Sequence, residues 1–315
     1  MQNVIDGTKP IILFLMAIAC NAGMQNIAIA KPAHVTRFGT PIAIGTQNHP
    51  LVRAIVNDHP AWFIVDTGAP VSVIDIRKAS VLQLSTTERF ARLPKQLVIN
   101  NRETPIAFLD HLQIGSDDLG SGPVALVDLR GVLELDRVTN AKLDFSGIIG
   151  MDVLQKYAGL IDHRDRQILF GLSQDDLEAV IGPTSEYHRV PMRLTARGAL
   201  EIEGFIGRNM YSFIADTGSF MTLIPYHVAL QNQLPIRWDK VWAKQINLQP
   251  TPVGQAIVPE FMFENYDSSR AQVHVTVMPH RVSDLPYPYG GQIGSDFFLN
   301  HGALIDVANR ALYIR

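Results

Sequence analysis

The sequence carries one phrase twice: Phe63-Ile64-Val65-Asp66-Thr67-Gly68 and, 150 residues later, Phe213-Ile214-Ala215-Asp216-Thr217-Gly218. Each copy is an apolar run that ends in Asp-Thr-Gly. Each is followed at the same spacing by a second apolar run, Val71–Ile74 or Met221–Ile224. At ordinary residue usage a given tripeptide recurs roughly once in several thousand positions. Two copies in matching surroundings therefore indicate a duplication rather than a coincidence.

The repeat continues downstream of the two Asp-Thr-Gly turns. Gly147–Asp152 corresponds to Gly291–Asp296, and Gly159–Asp162 corresponds to Ala303–Asp306. The offset here is 144 residues rather than 150, so one copy has lost or gained six residues in between, as surface loops tolerate. Two copies are too few for a solenoid, whose repeats need several neighbours. We therefore predict two homologous lobes that face each other.

Composition and length agree with two lobes. The chain has 315 residues, of which 47% are apolar and 18% charged, so each half can bury a core of its own. The Gly182-Pro183-Thr184-Ser185 stretch is the predicted linker (182–185), between a first lobe at 31–181 and a second at 186–315. The net charge of −3, without a run of like charges, argues against nucleic acid as a partner.

The pattern of short runs predicts a mostly β protein. Prolines (19) and glycines (23) separate many short β-branched or aromatic runs. The clearest strand candidates are Leu97–Ile99, Ala125–Val127, Ile168–Phe170 and Val273–Val277. Three short helices are predicted, namely Met151–Lys156, its repeat Ser295–Asn300, and Ser173–Val180, which opens with a capping box of Ser173 and Asp176. Asp152 and Asp296 are predicted to cap the first two helices.

Residues 1–30 are predicted to be an export signal. Ile11–Ala19 is an unbroken apolar run after Lys9, too short to span a bilayer comfortably but suited to a signal-peptide core. One interpretation is cleavage after Ala28-Ile29-Ala30. The other is a lipoprotein signal that uses Cys20, the only cysteine, as a lipid anchor to the membrane. Either way the protein is expected to be exported, periplasmic or secreted, without an internal disulfide.

The acidic residues of the two turns indicate a particular chemistry. If the turns meet, Asp66 and Asp216 lie side by side, and two adjacent carboxylates cannot both ionise freely. One carboxylate then takes a proton from water while its protonated partner polarises a carbonyl group. This chemistry allows water to attack an amide without a covalent enzyme intermediate.

The other residues of the turns are expected to support that pair. Gly68 and Gly218 permit a sharp turn and a close approach of the two backbones. The short hydroxyl groups of Thr67 and Thr217 are predicted to form hydrogen bonds across to the opposite lobe and lock the turns together.

The stretches Asp66-Thr67-Gly68-Ala69 and Asp216-Thr217-Gly218-Ser219, each between apolar strands, resemble the pepsin and retropepsin class of aspartic proteases. The resemblance covers nearly everything after residue 40, and Gly147–Phe170 and Gly291–Ile314 are more similar to bacterial retropepsin-type domains than to pepsin. It implies a bilobal acid-protease fold of two β-barrel-like lobes, related by a pseudo-twofold axis, with a substrate cleft between them.

The same resemblance implies roles for individual residues. Asp66 and Asp216 would be catalytic, and Ala69 and Ser219 would support the active site together with the Thr and Gly of each turn. A structural strand would pass beneath each turn, at Ile149 and Gly150 under the first and at Ile293 and Gly294 under the second.

The sequence departs from the family in two places. Gln292 stands where the family has an aliphatic residue, which is expected to loosen the second lobe slightly. No tyrosine lies between Asp66 and Gly150, although pepsin-type enzymes carry one on a flap that closes over the substrate. A flap is instead expected either in the Leu97–Phe108 region, with Asn100-Asn101 as its turn, or at Trp238–Ile246.

The sequence thus predicts an exported aspartic endopeptidase that acts on a polypeptide in an interlobe cleft, as a monomer and at mildly acidic pH. The alternative is a peptide-binding module that keeps the fold without turnover. No cofactor is expected, and no metal, because the ten histidines show no His-x-x-x-His spacing.

Overall fold

The computed structural model describes residues 11–13, 39–86, 96–99, 102–130, 137–138, 141–142, 144–244, 250–278 and 284–315. These residues are mostly β with few helices, as predicted from the sequence. Apart from Ile11–Leu13, the predicted export signal with Cys20 lies outside the described residues. None of the helices in the described parts of the chain is long and apolar enough to cross a membrane.

The strands are numbered in chain order. Those before residue 170 are β1 (Ile11–Leu13), β2 (Thr40–Pro41), β3 (Ala43–Ile44), β4 (Pro50–Val56), β5 (His59–Val65), β6 (Val73–Asp75), β7 (Ser85–Thr86), β8 (Gln96–Ile99), β9 (Arg102–Leu109), β10 (Leu112–Ile114), β11 (Asp117–Asp118), β12 (Gly122–Val127), β13 (Arg137–Val138), β14 (Ala141–Lys142), β15 (Phe145–Ile149), β16 (Leu160–Asp162) and β17 (Gln167–Leu169). Those after it are β18 (His188–Leu194), β19 (Leu200–Ile206), β20 (Asn209–Ala215), β21 (Leu223–Pro225), β22 (Arg237–Lys244), β23 (Thr251–Val258), β24 (Phe261–Phe263), β25 (Tyr266–Asp267), β26 (Ala271–Thr276), β27 (Tyr289–Ile293), β28 (Leu304–Asp306) and β29 (Ala311–Ile314).

The helices are short. The described residues contain α1 (Met151–Lys156), α2 (Gln174–Ile181), α3 (Tyr226–Gln231) and α4 (Ser295–Asn300). Helices α1 and α4 have the predicted bounds, and α2 begins with the predicted capping box of Ser173 and Asp176. Helix α3 was not predicted, because it follows Pro225 without a side-chain cap and spans only about one and a half turns.

An 11-stranded sheet surrounds the first Asp-Thr-Gly turn. Its order is β11-β10-β4-β5-β15-β6-β12-β9-β7, with β3 beside β4 and β8 beside β9. Strand β15 lies between β5 and β6, parallel to the first and antiparallel to the second. Because β5 leads into the turn and β6 leaves it, β15 passes directly beneath the turn.

A 16-stranded sheet surrounds the second turn and repeats this arrangement. Its order is β1-β22-β23-β26-β21-β27-β20-β19-β18-β29-β28-β16-β17-β2, with β24 beside β19 and β25 beside β24, while β13 and β14 pair separately. Strand β27 is parallel to β20 and antiparallel to β21. It therefore has the position under the second turn that β15 has under the first.

The larger sheet also joins the two halves of the chain. Strands β2, β17 and β16 precede the predicted linker, and β16 pairs with β28, which follows it. The partners are repeats of one another: Leu160 lies opposite Asp306, and Asp162 lies opposite Leu304. The linker itself is partly structured, since Thr184–Glu186 form a 3-10 turn.

The largest buried apolar cluster likewise draws on both halves. It includes Phe63, Ile149 and Ile161 from the first and Phe213 and Ile305 from the second, all nearly inaccessible to solvent. Burial of apolar surface is the main term that favours folding. The two turns therefore rest on a shared and tightly packed base, which suits a site that needs accurate placement.

Candidate active site

The two Asp-Thr-Gly turns lie against each other and exchange hydrogen bonds. The Thr67 N–H donates to Thr217 Oγ1 at 3.0 Å, and the Thr217 N–H donates to Thr67 Oγ1 at 3.1 Å. Each hydroxyl then donates to the carbonyl at the end of the opposite strand, Ala215 O or Val65 O, at 2.7 Å. Both threonines are fully buried. The structure thus brings the two turns together through the side chains that the sequence singled out.

Each glycine of the turns faces the carboxyl group of the opposite turn. A Cβ atom at Gly68 would lie 2.4 Å from Asp216 Cγ, and one at Gly218 would lie 2.2 Å from Asp66 Cγ. Any side chain would collide with these carboxyl groups, so only glycine permits this approach. The approach places Asp66 and Asp216 side by side.

The inner oxygen of each carboxyl group is held by backbone N–H groups of its own turn. The Oδ1 atoms of Asp66 and Asp216 each accept two such hydrogen bonds. The donors are Gly68 N (2.7 Å) and Ala69 N (3.1 Å) for Asp66, and Gly218 N (3.0 Å) and Ser219 N (3.1 Å) for Asp216. The two inner oxygens therefore have equivalent surroundings.

The outer oxygens differ. Asp66 Oδ2 receives no hydrogen bond from a donor group among the described residues, and the side-chain partner of the Asp66 carboxyl group is the Asp216 carboxyl group. Asp216 Oδ2 accepts a hydrogen bond from Gln292 Nε2 at 2.5 Å. Gln292 is fully buried on β27, and its counterpart on β15 is Ile148, which has no donor. Gln292 was expected to loosen the second lobe, but in the structure its side chain contacts the acidic pair directly.

The burial of the pair shifts its titration. Asp66 is 1% exposed and Asp216 is fully buried. Removal from water disfavours the charged form of a carboxyl group, and this burial raises the pKa of both residues above the ordinary range. Because two adjacent negative charges repel, the two carboxyl groups lose their protons one after the other and the pair titrates as a unit.

The predicted support strands lie directly beneath the turns. The Asp66 N–H donates to Ile149 O and the Asp216 N–H donates to Ile293 O, both at 2.9 Å. The next residue on each strand is a glycine in close contact with the turn above it. A Cβ atom would lie 2.6 Å from Ala69 O at Gly150, and 2.3 Å from Met221 C at Gly294.

Asp152 anchors the loop after the first turn rather than only capping α1. Asp152 Oδ1 accepts hydrogen bonds from the Ser72 N–H at 2.9 Å and from its hydroxyl at 2.7 Å. Ser72 Oγ in turn accepts a hydrogen bond from the Gly150 N–H at 2.9 Å. The N-cap residue of α1 is Gly150, which supplies no side-chain cap.

Asp296 makes the equivalent contacts after the second turn. Its Oδ1 accepts hydrogen bonds from the Thr222 N–H at 2.7 Å and from the Thr222 hydroxyl at 2.9 Å. Burial raises the pKa of Asp296 to about 6. Sequence reasoning did not single out Ser72 or Thr222, although the signal was present: they are repeats of one another at the 150-residue offset.

A loop from the first half of the chain contacts the second turn. His49 is fully buried, and its Nε2 lies 3.1 Å from Gly218 O. Asn48 Nδ2 donates to Phe220 O at 3.2 Å. The repeat gave no signal for this contact, because the counterpart of His49 is Ala199.

The structure describes part of each of the two regions that were expected to form a flap. Strands β8 and β9 form an antiparallel hairpin, with Ile99 opposite Arg102, and the turn residues Asn100 and Asn101 lie outside the described residues. The second candidate region forms β22 as far as Lys244 and pairs with β23, while Gln245 and Ile246 lie outside the described residues. Within the described ranges, no group of three or more His, Cys, Asp or Glu residues is arranged to hold a metal ion.

Comparison with known proteins bears on the first half of this site. Residues 52–153 match the family model described as Aspartyl protease. The match spans the first Asp-Thr-Gly turn and the strand beneath it. Among solved structures the chain is similar to a retropepsin-like aspartic protease from Rickettsia conorii, with 21% identity over 45% of this chain and 96% of that chain and a TM-score of 0.29. No curated protein sequence matches the chain.

Proposed function

We propose that the protein is an aspartic endopeptidase in which Asp66 and Asp216 together activate the water that hydrolyses a peptide bond. The observation that carries the proposal is the reciprocal bonding of the two turns, which brings two buried carboxyl groups side by side. The match of residues 52–153 to an aspartyl protease family model supports the same chemistry.

We further propose that the two turns belong to homologous lobes, 31–181 and 186–315, related by a pseudo-twofold axis. The support is the reciprocity of the contacts. Thr67 and Thr217 exchange equivalent hydrogen bonds, and the repeated residues of β16 and β28 pair with each other in the same reciprocal way. Exchange of equivalent contacts is what a twofold relation produces.

The proposed reaction needs one proton on the pair. The charged carboxylate takes a proton from water, the water oxygen bonds to the carbonyl carbon, and the protonated partner gives its proton to the carbonyl oxygen. When the C–N bond breaks, the leaving nitrogen takes the proton that came from water. In the same step a hydroxyl group of the tetrahedral intermediate gives a proton to the other carboxylate as the new carbonyl group forms, so the pair regains its starting state.

The proposed substrate is a polypeptide held in extended form in a cleft between the lobes. Extended peptides are recognised by strand-like backbone pairing, and the β8–β9 hairpin is a candidate for the element that covers them. One chain supplies both carboxyl groups, so we expect a monomer to be sufficient. The reaction requires no cofactor.

The test is cleavage of a mixed peptide pool by the purified chain from about pH 3 to 7, where a carboxyl pair can hold one proton. We expect cleavage at mildly acidic pH that a statine-type inhibitor blocks and that Asp66→Asn abolishes. Circular dichroism of the Asp66→Asn variant controls for folding. Cleavage that persists unchanged in Asp66→Asn, or no cleavage by the wild type at any pH, would rule out the peptidase.

A peptide-binding module without turnover is the second candidate function. The almost complete burial of Asp66 and Asp216 favours it, because substrate and water must reach these groups for catalysis. Retention of both Asp, both Thr and both Gly residues favours the enzyme instead. The module would bind peptides from the pool with equal affinity in the wild type and in Asp66→Asn, and would release them uncut.

We also propose that the protein is exported and that residues 1–30 direct this export. The support is the apolar run Ile11–Ala19 with its two candidate cleavage sites. Cell fractionation with a Cys20→Ser variant separates the two forms. A lipid-anchored protein moves from the membrane to the soluble fraction in the variant, a freely released protein is unaffected, and a protein found only in the cytoplasm contradicts export.

A further inference from the structure

The second half of the chain contains a cavity of about 480 Å³ between α4 and the stretch that joins β25 to β26. Asp296 and His301 line it from one side, and Asp267 and His274 line it from the other. Neither carboxyl group of the acidic pair lines it. A cavity of this volume is large enough for a small molecule, and the proposed reaction assigns no role to it.

In the first half a tyrosine side chain occupies the corresponding place. Tyr157 is the repeat of His301; it is buried, and its hydroxyl group donates to Leu119 O. Leu119 corresponds to Ser268, which lines the cavity, because the N–H of each bonds to the first residue of β10 or β24. His301 has a smaller ring, which contacts the Tyr266 hydroxyl through Nδ1 at 2.6 Å. The space that Tyr157 fills in the first half is therefore open in the second.

A second difference between the halves concerns charge. Lys156 precedes Tyr157, and its Nζ lies 4.4 Å from the centre of that ring. Burial lowers the pKa of Lys156, and the charge of Asp152 partly offsets this effect, so the ammonium group and the carboxylate attract each other. The second half has the uncharged Asn300 at the repeated position, where it lines the cavity. Asp296, the repeat of Asp152, therefore lacks the ammonium neighbour of its counterpart.

The outer oxygen of Asp296 is available to a ligand. Its Oδ1 accepts the hydrogen bonds of this carboxyl group, whereas Oδ2 accepts none from the described residues. Asp267 and Arg270 also line the cavity, and their charges offset each other. Burial lowers the pKa of His274 to about 4 and also lowers the pKa of His301, so both rings are neutral at pH 7. An ionised Asp296 thus gives the cavity a net negative charge.

We propose that this cavity binds a small alkylammonium ion, with the charged group beside Asp296 Oδ2 and the carbon chain against the rings of Phe261 and Phe297. The ligand supplies in the second half the positive charge that Lys156 supplies in the first. Hydrogen bonds between an ammonium group and a carboxylate are among the stronger ones, and removal of methylene groups from water adds to the affinity.

The cavity is connected to the second Asp-Thr-Gly turn through Thr222. Asp296 accepts two hydrogen bonds from Thr222, and Thr222 Oγ1 accepts one from the Gly294 N–H at 3.2 Å, directly beneath the turn. A cation that keeps Asp296 ionised strengthens the hydrogen bonds that this residue accepts. Because the ligand binds the folded chain, it should also raise the midpoint of thermal unfolding.

The first experiment titrates the full chain with butylammonium and with 1-butanol by calorimetry. At pH 7 we expect one butylammonium per chain with a dissociation constant on the order of 1 mM, and binding of 1-butanol at least about tenfold weaker. Burial raises the pKa of Asp296 to about 6, so this residue gains a proton as the pH falls. The affinity for butylammonium should therefore decrease about tenfold between pH 7 and 5.

The second experiment restores the residue of the first half. In Asn300→Lys the new ammonium group takes the place beside Asp296, so we expect butylammonium binding to be lost and the midpoint of thermal unfolding to rise. Gln231→Lys adds the same charge at an exposed position outside the cavity and should leave binding unchanged.

1,4-Diaminobutane and Nα-acetyl-lysine amide carry the same charged group, and comparison of their affinities shows whether the site prefers a free diamine or a lysine side chain. Either preference supports the site. No binding of butylammonium by the wild type, equal binding of 1-butanol, or binding retained in Asn300→Lys would overturn the inference, whether or not the chain cleaves peptides.

Discussion

Thr67 and Thr217 each use one small hydroxyl group for two purposes. Each Oγ1 accepts a hydrogen bond from the backbone of the opposite turn and donates to the backbone at the end of the opposite strand. Four buried backbone groups are thereby satisfied by two side chains. Valine has nearly the same shape as threonine but satisfies none of them.

Replacement of Thr217 by valine should therefore destabilise the protein strongly. It leaves the Thr67 N–H and Val65 O without partners, at a cost of about 1–3 kcal/mol for each buried group. We expect Thr217→Val to lower the free energy of unfolding by about 3 kcal/mol in urea titrations, with an unchanged m-value. Thr217→Ser keeps the hydroxyl group and serves as the control. Equal stability of the two variants would show that the exchanged hydrogen bonds contribute little.

Not every residue of the site was predictable from the sequence. Asp66, Thr67, Gly68 and their repeats stood out because a local phrase occurs twice. Gln292 stood out only as a departure from the family and His49 not at all, since their contacts with the site join residues 76 and 169 positions apart and have no counterpart in the repeat. The asymmetry of the pair is thus a tertiary effect that no local pattern records.

At the scale of elements, each turn is held by the strand that passes beneath it. Strand β15 lies between β5 and β6, and β27 lies between β20 and β21. The apolar runs on either side of each turn predicted β5, β6, β20 and β21, whereas β15 and β27 were expected only from the resemblance to aspartic proteases, because polar residues and glycines interrupt their apolar pattern. The pairing of β16 with β28 was not predicted, since apolar runs specify a buried strand but not its partner.

At the junction of β16 and β28, His163 differs in type from the residue at the corresponding position of the second half, Val307. The backbone N–H of His163 donates to Ala303 O at 3.0 Å. The backbone N–H of Val307 makes the equivalent contact in the other direction, with Gly159 O at 3.1 Å. His163 is buried beside the ring of Phe298. Burial lowers the pKa of His163 to about 4, from an ordinary value near 6.5. The second half has an apolar Val307 in the same place.

This histidine should make the folded state sensitive to acid. Between about pH 6.5 and 4 the unfolded chain binds a proton at His163 that the folded chain does not, so stability falls as the pH falls. Relative to His163→Leu, the wild type should lose up to about 3 kcal/mol between pH 7 and 4, measured by urea unfolding across that range. His188→Leu, at an exposed position, is the control. Parallel pH profiles of the wild type and His163→Leu would contradict the burial argument.

At the scale of the whole molecule, reciprocal contacts occur in two separate places. One is the exchange between Thr67 and Thr217, and the other is the pairing of β16 with β28. The repeated phrases of the sequence predict related halves but not how closely the halves share structure. The sheet and the largest apolar cluster both extend across the predicted boundary, because β16, which precedes the linker, pairs with β28, which follows it.

The central claim is that Asp66 and Asp216 form one joint catalytic centre, and binding of a statine-type inhibitor tests it most directly. The hydroxyl group of such an inhibitor mimics the tetrahedral intermediate, so it needs both carboxyl groups at once. Titration calorimetry at the mildly acidic pH expected for activity should give one inhibitor per chain for the wild type and no binding for Asp66→Asn or Asp216→Asn. Two inhibitors per chain, or binding retained in either variant, would contradict the account.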